Sequence, residues 1–339
     1  MLSMALCLAK EHEVFLIWDK TSPEMIVKQA RTRFQFDLSE LTFVKSPFTP
    51  KVSLMRRLKV SKEYDLMVVL SDGSIPVVSC PLILHFQSPM MWINGRSLMN
   101  RLKLSRVRHI VVNSNFTKKY IDASLGRKTS VLYPPVAIQR SYDPQKKTKT
   151  ILNVGRFGIN QAGSSFKKQD VLADAFVKMN TLGLKGWQLT FVMSVSDKDK
   201  EAFELFKKKY SEYPIVIVSN PTNSELWDIY EKASMYWHAS GFGEDLNLYP
   251  DRAEHFGIST VEAMGVGAVP IVVNAGGQKE IVEDGINGRL WGTLDELEEA
   301  TKELINNPKR LQELAEQGIL DSQKFSGDRF CRDIKKLIL

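Results

Sequence analysis

The sequence predicts an α/β protein built from two Rossmann-like, doubly wound domains that face a cleft. In the first half of the chain, short apolar runs alternate with segments of helical spacing, and the same alternation restarts in the second half. Strands that alternate with helices form parallel sheets covered by helices. A chain of 339 residues is long enough for two such domains. Ligands of parallel sheets lie beyond the carboxyl ends of the strands, so we expect the site in the cleft.

The predicted strands of the first half are runs rich in branched residues and bounded by polar or turn residues. They cover residues 12–18 (HEVFLIW), 64–70 (YDLMVVL), 81–86 (PLILHF) and 109–112 (HIVV). The predicted helices cover residues 2–10, 52–60 and 98–107, and the last two have basic residues on one side.

The second half repeats the pattern. Its predicted strands cover residues 150–154 (TILNV), 188–192 (QLTFV), 214–218 (PIVIV), 234–238 (SMYWH) and 268–273 (AVPIVV). Its predicted helices cover residues 169–180, 196–210, 224–232, a segment that opens with 260–264, and 278–283, followed by two more near the end of the chain.

Domain boundaries follow from these elements. Residues 142–150 (YDPQKKTKT) are polar, contain a proline and predict a linker. We therefore expect a first domain over residues 1–141 and a second domain over residues 151–325. A last helix over residues 326–339 is expected to pack back on the first domain.

The two halves of the chain differ in charge. Residues 1–150 contain 24 Lys and Arg against 11 Asp and Glu, a balance of +13, whereas residues 151–339 contain 22 against 28, a balance of −6. An apolar fraction of 43% and a charged fraction of 25% are typical of globular chains and exclude a largely disordered one. The basic half predicts an anionic partner, and nucleic acid, a negatively charged membrane surface or a phosphorylated substrate would each fit.

Cysteine usage and hydropathy indicate the compartment. Every apolar run is shorter than the roughly 20 residues that span a bilayer, and residues 1–9 lack the basic leader and cleavage site of a signal peptide. Cys7, Cys80 and Cys331 lie far apart without a C-x-x-C pair, which argues against a disulfide framework and a zinc ribbon. We therefore expect a cytoplasmic protein, peripheral on the cytoplasmic face of the membrane.

The first candidate motif is a strand, a glycine-containing basic loop and a helix over residues 153–176 (NVGRFGINQAGSSFKKQDVLADAF). Arg156 follows the strand and Lys167 directly precedes the helix. Cations beside free backbone N–H groups suit phosphate. Both residues can equally be solvated loop charges, and spacing alone does not choose between the two interpretations.

The second candidate motif is residues 253–264 (AEHFGISTVEAM), in which seven residues separate Glu254 from Glu262. If a helix begins near Ser259, Glu262 on its first turns can accept two ribose hydroxyls. Glu254 would then face another part of the same ligand. The alternative is a helix start with acids that only favour the macrodipole.

Taken together, these segments resemble the retaining glycosyltransferases of GT-B fold with an E-x7-E motif, glycosyltransferase family 4. The resemblance runs in order through VGRF, KKQDVLADAF, WHASGFG and EHFGISTVEAMGVGAVPIVVNAGGQKEIVEDGINGRLW. It extends more loosely to HEVFLIWD, LILHFQSP and VNSNFTKKYI in the first half. It covers most of the second half of the chain.

The resemblance implies roles for individual residues. Arg156 and Lys167 match the pair that grips the donor diphosphate, and Glu262 matches the acid that binds the ribose. Glu254 matches the acid beside the transferred sugar, and His85 in LILHFQSP matches a first-domain histidine near the reacting sugar. The backbone that meets the donor corresponds to Phe256, Gly257 and Ile258. For His85 the alternative is a satisfied core histidine at a strand end.

The chain also departs from the family pattern. Relatives open with a strand and a glycine-rich loop, whereas residues 2–10 here predict a helix followed at once by HEVFLIW. Met193 and Ser194 stand where relatives usually have glycine. Asp197-Lys198-Asp199 forms a D-x-D, the metal signature of the other large glycosyltransferase fold, and we interpret it as a helix N-cap.

A basic amphipathic segment lies in the first half. Residues 88–108 combine Met, Trp and Leu with Arg96, Arg101, Lys103, Arg106 and Arg108. We expect most of its apolar side to pack on the first sheet, and its charges to be attracted to an anionic membrane.

The resemblance implies an enzyme of glycan biosynthesis, a metal-independent, retaining glycosyltransferase that uses a nucleotide sugar as its substrate. The donor would be a GDP- or UDP-linked hexose of mannose or glucose type, and the acceptor a glycan or a lipid-linked molecule; no metal site and no further cofactor are expected. One alternative is a non-catalytic nucleotide-sugar-binding subunit or a truncated enzyme, prompted by the absent opening loop. A nucleic-acid-binding protein would need aromatic residues among the basic ones on an exposed sheet, whereas the predicted strands are buried.

Overall fold

The computed structural model describes residues 1–18, 22–49, 52–159 and 165–338. The chain divides into two units. Unit 1 comprises residues 1–135 and 326–339, and unit 2 comprises residues 136–325. The boundary at Pro135 lies before the predicted linker. Within that linker the structure has a 3-10 turn, Pro144–Lys146, followed by the first strand of unit 2, which begins at Thr148.

The strands of unit 1 lie in two parallel groups. β1 (Phe15–Ile17) pairs with β2 (Thr42–Val44), and the order of the four-stranded sheet is β3 (Met67–Leu70), β4 (Leu82–Phe86), β5 (Val107–Val112) and β6 (Ser130–Val131). Every residue of β4 is buried, as its unbroken apolar run predicted.

Four helices of unit 1 begin at serines. The first five helices are α1 (Leu2–Ala9), α2 (Pro23–Phe34), α3 (Leu54–Ser61), α4 (Leu98–Leu104) and α5 (Asn115–Leu125). The hydroxyls of Ser22, Ser53, Ser97 and Ser114 each accept a hydrogen bond from the backbone N–H three residues on, at the starts of α2 to α5. Such caps satisfy N–H groups that have no partner inside the helix.

The segment 88–108 packs differently from the prediction. Met90, Ile93 and Leu104 are buried in the core of unit 1. The remaining large apolar side chains, which were also expected to pack on the sheet, are exposed; they are Met91, Trp92, Leu98, Met99 and Leu102. The expectation was wrong for these residues, because α4 is short and directs only Leu104 inward, and Met91 and Trp92 lie in the turn before it.

Unit 2 alternates strands and helices around one parallel sheet. Its strands are β7 (Thr148–Arg156), β8 (Gln188–Ser194), β9 (Ile215–Ser219), β10 (Ala233–His238), β11 (Val269–Val273) and β12 (Arg289–Trp291). Its helices are α6 (Gln169–Thr181), α7 (Lys200–Lys209), α8 (Asn223–Lys232), α9 (Ile258–Gly265), α10 (Leu294–Asn306) and α11 (Pro308–Ser322). The segment 278–283, predicted to be helical, is a 3-10 turn over Gly276–Glu280.

The order of the described strands in this sheet is β12-β11-β10-β7-β8-β9. The chain therefore builds the sheet outward from β7 on one side and then returns to start the other side with β10. This is the strand order of the Rossmann fold, in which the order reverses between the first and the fourth strand. The reversal lies between β7 and β10.

The last helix, α12 (Gly327–Ile338), belongs to unit 1 and packs against α1. Phe330 and Ile334 of α12 share a buried cluster with Met4 and Leu8 of α1. A disulfide joins Cys7 to Cys331, whose Cα atoms lie 5.3 Å apart. The argument from cysteine spacing against a disulfide was wrong for this pair, because α12 returns to α1 across 324 residues of sequence.

In the described residues, no helix is both long and apolar enough to cross a membrane.

Candidate functional site

The reversal of strand order in unit 2 selects the place for a ligand. At such a point the loops after two neighbouring strands turn to opposite faces of the sheet and leave a crevice beyond the carboxyl ends. β7 ends at Arg156 and β10 ends at His238, so these two residues border the crevice. Parallel pairing of β7 with β10 places both carboxyl ends at the same edge of the sheet.

The loop after β7 is attached to the start of α6 by one buried side chain. The Gln169 amide donates a 3.1 Å hydrogen bond to the carbonyl of Arg156, and its side chain is fully buried. Gly155 lies against Lys167, because a Cβ atom at Gly155 would lie 3.5 Å from the Lys167 Cγ. The predicted phosphate-binding residues thus share one corner, although residues 160–164 of the glycine-containing loop lie outside the described residues.

Arg156 is exposed at this corner and forms no ion pair with a described residue. Its guanidinium is therefore available to an anion from solvent. A guanidinium binds phosphate with two parallel N–H groups, and the resulting charged hydrogen bonds are stronger than neutral ones.

Glu254 accepts hydrogen bonds from two residues through one oxygen. The Lys167 Nζ lies 2.7 Å from the Glu254 Oε2, and the His238 Nε2 lies 3.1 Å from the same oxygen. The Glu254 side chain is 21% exposed. Burial alone would raise the pKa of its carboxyl, but the Lys167 ammonium and the hydrogen bond from His238 outweigh burial and hold that pKa well below its usual range. Glu254 is therefore an anion at neutral pH.

His238 was not among the predicted site residues. It is the last residue of β10, where every residue is buried, and its Nδ1 has no hydrogen-bond partner among the described residues. Burial lowers the pKa of this histidine, although the contact with Glu254 opposes the shift. We therefore assign the neutral ring with a proton on Nε2, which donates to Glu254 as a dipole and leaves Lys167 as the positive charge. The sequence contained the necessary signal, a polar residue at the end of a buried strand.

The backbone around Glu254 is fixed by two glycines. The N–H of Gly277 donates a 2.7 Å hydrogen bond to the Glu254 carbonyl. A Cβ atom on Gly276 would overlap that carbonyl, and one on Gly277 would lie 2.5 Å from the carbonyl of His255. Gly276 also has φ of 63°, a conformation that favours glycine. This close approach explains the pair of glycines in the NAGGQKE segment, whose role the sequence analysis did not assign.

The predicted donor-contacting residues lie at the start of α9. Gly257 is its N-cap residue with φ of 124°, and Ile258 is the first helical residue, 49% exposed. The Phe256 side chain is buried and packs edge-on against Phe325. Only the backbone of Phe256 can therefore face a ligand. The amino end of α9 carries partial positive charge from its N–H groups, which suits an anionic ligand.

Glu262 lies one turn further along α9, largely out of solvent. Its Oε2 accepts a 2.8 Å hydrogen bond from the hydroxyl of Tyr230, a fully buried residue of α8. Burial raises the pKa of the Glu262 carboxyl to about 7, although the Tyr230 hydroxyl partly opposes the shift. No described residue donates a hydrogen bond to the second carboxylate oxygen, which remains for a ligand hydroxyl. Tyr230, like His238, was not predicted.

His85 belongs to unit 1, where it is the fourth residue of β4. The ring is 5% exposed, and neither nitrogen has a hydrogen-bond partner among the described residues. Burial, together with the positive charge of the chain's amino terminus, lowers the pKa of His85 to about 4. The residue is therefore a neutral histidine at a strand end, but not the hydrogen-bonded core histidine of the alternative interpretation.

The D-x-D segment forms a 3-10 turn, Asp197–Asp199, directly before α7. Asp199 is the N-cap residue of α7, as predicted, although its side chain makes no capping hydrogen bond. Asp197 instead pairs with Lys200 at 2.7 Å. Among the described residues, no three His, Cys, Asp or Glu side chains are grouped so that they could hold a metal ion.

Solved structures share this fold. Anabaena HepE in complex with UDP has a TM-score of 0.70 at 17% identity, over 99% of this chain and 95% of its own. A glycosyltransferase from Rickettsia africae has a TM-score of 0.75 at 14% identity, over 99% of this chain and 93% of its own. The predicted fold class, GT-B with Rossmann-like units, is confirmed.

Sequence comparisons lead to the family. An uncharacterized glycosyltransferase of Methanocaldococcus jannaschii, MJ1178, is 26% identical over 233 residues, which make up 67% of this chain and 58% of that relative. The chain thus spans less than two thirds of the relative's length. The model of the glycosyl transferases group 1 matches residues 137–321, more than half of the chain. The chain therefore belongs to the family of glycosyl transferases group 1.

Proposed function

We propose that this protein is a retaining glycosyltransferase that moves a hexose from a nucleotide sugar to a glycan or lipid-linked acceptor. The observation that carries the proposal is the strand reversal of unit 2, where Arg156, Lys167, Glu254 and the start of α9 meet at one edge of the sheet. HepE has been solved with UDP and with UDP-glucose, and these complexes favour UDP-glucose over a GDP-linked sugar as the proposed donor.

The donor diphosphate is assigned to the cations of this corner. The Arg156 guanidinium has no ion-pair partner in the described part of the chain. The Lys167 ammonium has three N–H donors, of which the described contacts use one on Glu254. Negative charge builds on the diphosphate as it leaves, and fixed cations in a partly desolvated site stabilise such charge strongly. These two residues can supply the stabilisation that a metal supplies in other transferases. The ribose is assigned to Glu262.

Glu254 is assigned to the transferred sugar. The transition state of glycosyl transfer resembles an oxocarbenium ion and carries positive charge on the ring. A carboxylate that stays ionised at neutral pH can stabilise that charge, but it has no proton to give to a leaving group. The low pKa of Glu254 therefore supports an electrostatic role rather than general acid catalysis. His85 of unit 1, neutral and buried, is kept as a further residue proposed to approach the reacting sugar.

We also propose that the basic first half keeps the protein in peripheral contact with an anionic membrane on its cytoplasmic face. The acceptor would then be reached at the membrane surface. The charge balance of +13 over residues 1–150 supports this assignment.

Thermal unfolding with a panel of nucleotide sugars tests the donor assignment. A ligand that binds only the folded state stabilises it by about 2.7 kcal/mol at one hundred times its Kd. We expect UDP-glucose to raise the melting temperature, and UDP to do so more than uridine.

Arg156→Ala should weaken UDP binding by about 1.5–3 kcal/mol, the range for a charged hydrogen bond.

The control for Arg156→Ala is the nucleoside. Uridine binding should be nearly unchanged in the variant, because uridine has no phosphate to lose. Equal losses for uridine and UDP would mean that Arg156 contacts another part of the ligand. A panel in which no nucleotide sugar stabilises the protein would contradict the proposed donor class.

The ionisation of Glu262 predicts a pH dependence of donor binding. Its pKa of about 7 lies above the usual value for Glu, so the carboxyl is mostly neutral at pH 6 and mostly ionised at pH 8. The ionised carboxylate accepts a ribose hydroxyl more strongly than the neutral acid does, and the ionised fraction rises about tenfold from pH 6 to pH 8, so donor affinity should rise by up to roughly tenfold. Calorimetric Kd values across this range measure the effect.

Glu262→Gln is the matched variant for this experiment. It keeps the shape of the side chain and removes its titration, so donor affinity should be weaker and flat with pH. The esterified phosphates of a nucleotide sugar do not titrate in this range and contribute no slope. A slope that survives in Glu262→Gln would assign the pH dependence to another group.

A further inference from the structure

One helix of unit 1 exposes apolar side chains on its surface. Leu98, Met99 and Leu102 of α4 are 74%, 66% and 62% exposed, respectively. Leu98 and Leu102 are four residues apart, and Met99 and Leu102 are three apart, so the three side chains lie on one side of the helix. Nothing in the described part of unit 1 covers them. An apolar group of this kind on a surface marks a contact with a partner or a membrane.

The charge along the chain on both sides of α4 is entirely positive. Between Asp72 and Asp122 the sequence contains no Asp or Glu, whereas it contains seven Lys and Arg. Arg96 and Arg101 form no ion pair with any described residue. Arg101 is three residues from Leu98 and directly precedes Leu102, so positive charge borders the apolar side chains. The surface is thus complementary to a partner that is both anionic and apolar.

A cavity adjoins this surface. Its volume is about 580 Å³, and its lining includes Arg96, Arg101 and Arg127. The Arg127 guanidinium is held in place, because it donates hydrogen bonds of 2.7 Å and 3.3 Å to the carbonyls of Leu104 and Val107. Three guanidinium groups around an open cavity suit a phosphate ester that is larger than inorganic phosphate.

The cavity lies away from the ligand edge of its sheet. Leu104 and Ser105 at the end of α4, and Leu125 and Gly126 at the end of α5, contribute to its lining. α4 ends just before β5 begins, and α5 ends just before β6 begins. The cavity therefore lies at the amino ends of the parallel strands, opposite the edge where ligands of such sheets react. It is consequently not the place where His85, near the carboxyl end of β4, would meet a sugar.

We propose that the α4 surface, defined as Arg96, Leu98, Met99, Arg101 and Leu102, docks unit 1 on a bilayer that contains anionic phospholipid. Leu98, Met99 and Leu102 enter the interface between headgroups and acyl chains. The arginines bind lipid phosphates, and one of these phosphates occupies the cavity. Trp92, 70% exposed in the preceding loop, is of the residue type enriched at this depth. The proposal deepens the membrane contact of the proposed function and does not depend on the donor chemistry.

A bilayer fits these observations better than a nucleic acid does. Nucleic acids are bound by basic grooves with aromatic side chains on which bases stack. Leu98, Met99 and Leu102 have no ring on which a base could stack, and Trp92 is the single aromatic side chain of the segment 88–108. β4 at the centre of the sheet is buried throughout. Burying aliphatic side chains is favourable in the acyl region of a bilayer, at roughly 25 cal/mol per Å².

Vesicle co-sedimentation tests the proposal with the full chain. Vesicles of phosphatidylcholine with phosphatidylglycerol should pellet the protein at low salt, and vesicles of phosphatidylcholine alone should not. Arg96→Gln with Arg101→Gln should lower the partition coefficient about 25-fold, because each basic residue at an anionic surface raises that coefficient about fivefold. Leu98→Gln with Leu102→Gln should lower it at least about tenfold, from lost apolar burial.

Matched variants in unit 2 control for charge and hydropathy. Lys185→Gln with Lys208→Gln removes two exposed cations, and Leu320→Gln removes a leucine that is 67% exposed. Both variants should pellet like the wild type. Hydrogen exchange adds a local readout, since residues 97–105 should be protected by anionic vesicles and α11 should not. Every variant should keep the melting-temperature rise with UDP-glucose, so a failed membrane result and a failed donor result can be distinguished.

Three outcomes would overturn the proposal. The first is equal pelleting with neutral and anionic vesicles, which removes the role of the arginines. The second is equal pelleting of the wild type and both α4 variants, which places the contact elsewhere. The third is tight binding of an RNA oligonucleotide, lost in Arg96→Gln with Arg101→Gln, without any vesicle binding; the surface would then serve a nucleic acid.

Discussion

Replacing Glu254 with Gln should leave donor affinity within a few fold of the wild type and reduce turnover about 10²–10³-fold. This is the usual loss when a preorganised electrostatic group is removed from a transition state. Gln keeps the size of the side chain and can still accept from Lys167 and His238, so the site should keep its shape. The measurement pairs kcat from release of UDP with Kd for UDP-glucose from calorimetry.

Glu298→Gln is the matched control for this variant. Glu298 is also a buried, ion-paired glutamate of unit 2, but it lies in α10 and pairs with Lys178 at 2.7 Å. Its replacement should leave both kcat and Kd unchanged. Near-wild-type turnover of Glu254→Gln would contradict the assignment of Glu254 to the reacting sugar. A wild-type protein that binds UDP-glucose without releasing UDP would instead favour a non-catalytic nucleotide-sugar-binding subunit.

Replacing Lys167 with Ala should have two effects, because the ammonium has two partners. Loss of the phosphate contact should weaken UDP binding by about 1.5–3 kcal/mol. Loss of the ion pair leaves Glu254 partly buried without a cation, which should lower the free energy of unfolding by about 3 kcal/mol and raise the pKa of Glu254. Urea unfolding measures the second effect and calorimetry the first.

The double variant separates the two effects. Lys167→Ala with Glu254→Gln has no buried unpaired charge, so most of the lost stability should return while UDP affinity stays low. Lys168→Ala tests the neighbouring cation, which pairs with Glu244 at 2.6 Å and not with Glu254. It should bind UDP like the wild type. If Lys167→Ala were as stable as the wild type, Lys167 would not be the main counter-charge of Glu254.

Most regular elements of unit 2 could be predicted because they have a strong local pattern, but the three-residue strand β12 was not predicted. β8, β9 and β10 begin within one residue of their predicted starts, since each is a short segment rich in branched or aromatic apolar residues. α2 was not predicted, because only Ile26 and Ala30 of its twelve residues are buried and its apolar spacing is weak. β1 is shorter than the seven-residue run that predicted it, and only Phe15–Ile17 pair with β2.

Part of the candidate site could be predicted because its residues also lie in segments with a recognisable local pattern. Arg156, Lys167, Glu254 and Glu262 lie in segments that the family resemblance covers. The contacts among these residues could not be predicted. Lys167 and Glu254 are 87 positions apart in the chain, and no local pattern reports which charges meet. Tyr230 and His238 were not predicted because each meets its partner on another element of the chain, Glu262 of α9 and Glu254 respectively, and no local pattern reports these contacts. The pair Cys7 and Cys331 was missed for the same reason, since only the packing of α12 on α1 brings them together.

The packing of α12 on α1 has a consequence for the order in which the protein forms during translation. Domains usually fold as they emerge from the ribosome, with the amino-terminal one first. Here α1 emerges before unit 2, but its partner Phe330 emerges only after all of unit 2. Unit 2 is continuous in sequence and can complete its sheet earlier. The apolar face of α1 therefore has no contact with α12 until unit 2 has been synthesised. Unit 1 begins to form before unit 2 but is completed after it.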